Sequence, residues 1–200
     1  MNWFAFLSFA CVVIFTPGPN NLTSTAIGLN YGFRKALSFI FGACTGTLII
    51  LSVSALLVEQ AFDFSPQIET SLRILGCIYM TWLAYKIVKS NPVKTGERKS
   101  SFTFYHGIFL QFVNVKAILF AITVNSVFII PNINSIFEII YFLIFLTILA
   151  FMAMTLWALF GTVIQRVLSN TTLKNLFNYL MAALLVFIAV SILNIPELIQ

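Results

Sequence analysis

"FTPGPNNL", Phe15 to Leu22, sets two prolines, a glycine and two adjacent asparagines about a dozen residues into an apolar N-terminal run. The 200-residue chain as a whole is 60% hydrophobic and only 8% charged, with a mean hydropathy of +1.00. Such a composition has too few polar groups to cover a water-facing surface, so the chain belongs in a bilayer. Apolar stretches run roughly over 3–29 (broken at the prolines), 36–58, 70–88, 104–130, 137–163 and 174–194, each near or above the ~20 residues a spanning helix needs. The expected fold is an all-α integral membrane protein with six transmembrane helices in one domain, 1–200. No Lys or Arg precedes the first run, and no small-residue cleavage pattern leads into a polar domain. It is therefore expected to be a retained helix, not a signal peptide.

The charges report topology. Of eleven basic residues, nine fall in alternate loops: Arg34 and Lys35, then Lys86, Lys89, Lys94, Arg98 and Lys99, then Arg166 and Lys174. The opposite loops and the C-terminal tail hold Glu59, Asp63, Glu69, Glu138 and Glu197, with Arg73 as their one cation. The positive-inside rule puts the basic loops in the cytoplasm and both termini outside. The net charge of +5 is then a topology signal and calls for no nucleic acid. The hydrophilic stretch "KSNPVKTGERKSS", Lys89 to Ser101, is expected to be a cytoplasmic linker between a first three-helix half, 1–88, and a second, 102–200.

Three is an odd number of crossings, so two related halves must be inverted with respect to one another. A positional coincidence supports that plan. The opening span of the first half breaks at Thr16 to Asn21, and the opening span of the second carries "LQFVNVK", Leu110 to Lys116. Each interruption starts about a dozen residues into its span, or ~18 Å at 1.5 Å per residue, near the bilayer midplane. Matched polar interruptions in two halves are the best sequence pointer to a transporter binding site.

Pro17 and Pro19 have no N–H, so the carbonyls of Val13 and Phe15 lose their helical donors, while Thr16 and Gly18 are pushed out of the α region. Polar backbone at that depth is tolerated only beside protein or a water-filled cavity. A helix restarting near Pro19 offers N–H groups to a carboxylate, and the carbonyls ending the preceding half-helix suit an ammonium. Together they suit a zwitterionic amino acid. Lys116 is the one charged residue deep in a span; at about +2.5 to +3.5 kcal/mol for insertion there, it should face protein or water. The candidate substrate-binding or pathway residues are Pro17, Gly18, Pro19, Asn20, Asn21, Gln111, Asn114 and Lys116. The bland readings are a structural kink for the prolines, interhelical hydrogen bonding for the amides and snorkelling for Lys116.

At "TPGPNNL" followed by "GLNYGFRKALSFIFGACTG", the chain resembles the LysE/RhtB superfamily of bacterial amino-acid exporters. "LQFVNVK" resembles the family's second signature, commonly Asn-Pro-Lys, with Val115 here in the proline position. Its Asn-Val-Lys form within "FLQFVNVKAILF" is most similar to the branch that exports cysteine and O-acetylserine. The resemblance spans essentially the whole chain. It implies export of a small amino acid across the bacterial inner membrane, with an antiporter driven by the proton motive force as the expected mode. Val115 keeps a backbone donor, so the fourth helix is a weaker candidate for a break than the first.

Two other classes compete. A membrane thiol-redox protein would need cysteines that meet; Cys11, Cys44 and Cys77 all lie in apolar stretches outside any CxxC pair, where a small buried hydrophobe is the simpler reading. A non-transporting scaffold would use the breaks and the "GACTG" motif, Gly42 to Gly46, only for packing. No enzyme chemistry, metal or cofactor is called for. The expected partners are an amino-acid substrate, lipid and protons, and a homo-oligomer is compatible with the sequence.

Overall fold

The computed structural model describes residues 2–59, 66–89, 102–133, 135–167 and 171–193. The linker from 90 to 101, with Lys94, Arg98 and Lys99, lies outside the described residues, as do Asp63 and Glu197. Among the described residues the chain is helical throughout: α1 (Trp3–Phe15), α2 (Pro19–Tyr31), α3 (Phe33–Glu59), α4 (Pro66–Lys89), α5 (Phe104–Val113), α6 (Val115–Thr123), α7 (Ile136–Val167) and α8 (Thr171–Leu193). A π-helical turn (Val124–Ile129) and a 3₁₀ turn (Ile130–Asn132) extend α6.

The first break falls where the prolines require it. α1 stops at Phe15, and α2 starts with Pro19 in its first turn, where the fixed proline φ is already helical and the missing N–H has no role. The two half-helices are bent by 46°. The second break also forms, without a proline. Asn114 leaves the helical region at φ −89° and ψ 93°, ends α5, and caps α6 with its side chain. Val115 was expected to weaken this break; Asn114 achieves it alone, because an Asn side chain competes with the helical ladder for backbone donors. Between α2 and α3 a single residue, Gly32, turns the chain at φ 81° and ψ 164°, a conformation open to glycine and strained for other residues.

By length and apolarity Phe33–Val58, Val115–Asn132 and Ile136–Ile164 qualify as membrane spans, and the bent α1–α2 pair makes a fourth. The other two expected spans correspond to α4, which carries Glu69, Arg73 and Lys86, and α8, whose apolar run continues to Leu193. The dominant packings are α2 on α7, α3 on α5 and α4 on α8. Each joins a helix of residues 1–88 to one of residues 102–200.

Two cores result. One gathers Phe39, Ile40, Leu83, Ile87 and Leu110, and the other Phe6, Phe120, Ile129 and Phe142. The second is built on ring contacts, among them Phe6 edge-on to Phe142 at 5.6 Å. The first is flanked by backbones in close approach. A Cβ on Gly28 of α2 would collide with the Ala158 carbonyl of α7, and one on Gly161 of α7 with the Thr25 carbonyl of α2. The same reciprocity joins α3 and α5, where Gly42 meets the Phe104 carbonyl and Gly107 meets that of Phe39. All four glycines lie toward the helix ends nearest the basic segments.

Alanine at Gly28 or Gly42 should therefore force backbones apart and cost about 1–3 kcal/mol, the usual range for overpacking. A Cβ at Gly18 meets only the flexible end of Lys116, so Gly18→Ala should leave stability nearly unchanged. Unfolding titrations of the three variants in mixed detergent check the ordering.

Candidate functional site

The loose end of α1 is met by the protein's own donors. Thr16 folds back so that its N–H and hydroxyl donate to the Val12 carbonyl and its hydroxyl also reaches that of Val13. The Asn21 amide donates to the carbonyls of Ile14 and Thr16, both at 2.9 Å. Trp157 of α7 donates its indole N–H to the Phe15 carbonyl at 3.1 Å. Lys116 Nζ of α6 donates to the Thr16 carbonyl and hydroxyl, each at 3.2 Å, and approaches the Pro17 carbonyl at 3.5 Å. These are the carbonyls that the sequence suits to a substrate ammonium. The Lys116 ammonium already occupies that position, drawn by the carbonyl-rich C-terminal end of α1.

The start of α2 is different. No side chain caps it, and the first N–H groups of a helix have no intrahelical acceptor. Gly18, Pro19, Asn20 and Asn21 line a cavity of ≈ 70 Å³ that Asn114, Gln111 and Lys116 complete from the other break. Thr47 adds a hydroxyl, while Ile14, Ile50, Leu51, Phe120 and Met154 form apolar wall. At about 10–15 Å³ per water, the space suits a few waters or one small molecule. No carboxylate lines it.

Seven of the eight candidate residues thus meet at one place; Pro17 does not. It is exposed and contributes only its carbonyl to Lys116. The amides divide by role. Asn21 is 4% exposed and spends its amide on the break, which is the structural reading of that residue. Asn114 caps α6 by accepting from the Ala117 N–H at 3.4 Å. Gln111 is 0% exposed, and neither its amide nitrogen nor its amide oxygen has a partner in the protein; Asn20 Oδ1 is likewise buried and unpartnered. A buried polar group left unmet costs about 1–3 kcal/mol, and Gln111 and Asn20 carry that cost beside the cavity.

Sequence reasoning missed Trp157, Thr47 and Asn125. A Trp inside a long apolar helix was the available signal, because its N–H needs an acceptor wherever it is buried. Asn125 is fully buried and donates to the Leu51 carbonyl at 3.0 Å. The three cysteines are free thiols, Cys44 buried and Cys11 exposed.

Residues 11–194 match the family described as LysE type translocator. The chain is 31% identical over 188 residues to the cysteine/O-acetylserine efflux protein of Klebsiella pneumoniae, covering 94% of this chain and 95% of that protein. The proteins of the same description from Salmonella typhimurium and Escherichia coli K12 are 31% and 30% identical, with the same coverage. No solved structure matches the chain.

Asn21→Ala would leave the Ile14 carbonyl without its donor at membrane depth, a loss of about 1–3 kcal/mol. Gln111→Leu removes two polar atoms that hold nothing in the protein, and should leave stability equal or higher. Paired unfolding titrations of these two variants separate the residue that builds the break from the one that is spare to the fold.

Proposed function

We propose, from the premise that this chain belongs to the LysE type translocator family, that it is a secondary transporter exporting a small neutral amino acid from the bacterial cytoplasm, with cysteine and O-acetylserine as its first candidate substrates. The relatives' names supply those candidates. The observation that carries the reading is the pairing of unpartnered Gln111 and Asn20 oxygens with an ammonium, Lys116, around one small cavity between two helix breaks.

In this reading the substrate carboxylate sits between Lys116 and the uncapped N-terminus of α2, where dipole and N–H groups favour an anion. The substrate ammonium is received by Gln111 Oε1 and Asn20 Oδ1, and its side chain lies on the wall of Ile50, Leu51, Phe120 and Met154. Lys116 trades the Thr16 and Pro17 carbonyls for the carboxylate as substrate enters. A cavity without a carboxylate disfavours a basic side chain, which would add an unpaired charge at membrane depth.

Six spans in two inverted halves, both termini outside and alternating access around the midplane complete the proposal. The exchange of partners between α2–α7 and α3–α5 supports it, since first-half helices pack on second-half ones in both pairs. Coupling to the proton motive force belongs to the same reading.

Flux of labelled cysteine or O-acetylserine in reconstituted vesicles is the test. Lys116→Gln removes a charge-assisted contact of about 1.5–3 kcal/mol, so flux should fall tenfold or more at equal protein content. Unchanged flux in that variant, or none of either substrate in the unmodified protein, would overturn it.

A further inference from the structure

Away from the cavity, at the start of α5, the chain's one histidine is held at both ring nitrogens. His106 Nδ1 accepts the Thr103 backbone N–H at 3.1 Å and lies 2.8 Å from the Thr103 hydroxyl. His106 Nε2 lies 3.1 Å from Lys86 Nζ of α4. The ring stacks on Trp82 at an interplanar angle of 10°, and Lys86 Nζ stands 4.0 Å above the same indole.

A backbone N–H can only donate, so Nδ1 must accept, and a neutral imidazole then carries its hydrogen on Nε2. That hydrogen points at Lys86, which can receive it only as a neutral amine. If Lys86 is an ammonium instead, Nε2 must accept from it. The ring hydrogen then moves to Nδ1, donates to the Thr103 hydroxyl, and gives up the Thr103 N–H bond that caps α5. One added proton therefore changes the His106 tautomer and the hydrogen bonding of the first turn of α5.

We propose that Lys86 and His106 form a proton-binding pair whose occupancy is transmitted through α5 to the substrate cavity. The proposal rests on the export reading above for its role in transport. The Lys86 ammonium is favoured by the Trp82 face, and the neutral pair by the intact cap, so both states have a source of support. The connection to function is the helix itself. Gly107, next to His106, sits against the backbone of α3, and Gln111, one turn further on, lines the cavity.

Among the described residues, the other titratable side chains around the pair can be named. Tyr79 of α4 donates its hydroxyl to the His106 carbonyl at 3.1 Å, and Tyr31 of α2 meets Phe102 edge-on at 6.5 Å. Tyr85 and Lys89 of α4, Tyr105 of α5, Arg34 and Lys35 of α3, and Tyr179 of α8 are exposed. Lys116 of α6 is engaged at the first break.

Because the chain has a single histidine, nitrogen-15 labelling of the imidazole in the full-length protein reports this ring alone. The expected result is the Nε2–H tautomer at alkaline pH, converting on acidification, with the conversion lost in Lys86→Met. An Nδ1–H ring at every pH, or an identical titration in Lys86→Met, overturns the proposal. In vesicles, Lys86→Met and His106→Asn should keep substrate exchange but lose the response to an imposed pH gradient; His106→Asn retains an acceptor for the Thr103 N–H. A gradient response equal to that of the unmodified protein in both variants also overturns it. A ring that titrates as stated in a protein that moves no amino acid refutes the export reading and leaves the proton site standing.

Discussion

Carbonyls freed inside a bilayer have no water to turn to, and Pro17 and Pro19 free several at once. Their donors come from three directions: Asn21 from the next helix, Trp157 from α7 and Lys116 from α6. The break is thereby stitched to distant parts of the chain, and its shape cannot change without changing theirs. Lys116 also resolves its own problem in this arrangement, since an ammonium at membrane depth needs acceptors as much as the carbonyls need donors.

The two ends of the bundle are held differently. Near the basic segments, glycines allow backbones to touch across α2–α7 and α3–α5, the kind of contact that substitutes for hydrophobic driving force between helices in lipid. At the other end, large rings from α1, α6 and α7 pack on one another. The helices that carry the seam also carry the cavity. α2 holds Gly28 and Asn21, and α5 holds Gly107 and Gln111.

Much of this was legible. Pro17 and Pro19 announce a break wherever they occur in an apolar run, because a missing N–H is a local property of the residue. The second interruption is marked by Asn114 and Lys116, polar residues standing in an apolar run. The division of labour among the amides was not legible: Asn21 and Gln111 are both polar residues in apolar surroundings, yet one is consumed by the backbone and the other is free of it.

By itself the sequence determined membrane residence, helical class and the positions of both interruptions, all of which depend on composition and on the covalent chemistry of single residues. Only the tertiary structure decided what each interruption faces. Whether a carbonyl is vacant, an amide unpartnered or an ammonium available depends on donors and acceptors far away in the chain. Lys116 at Thr16, Trp157 at Phe15 and Lys86 at His106 are juxtapositions that folding alone creates.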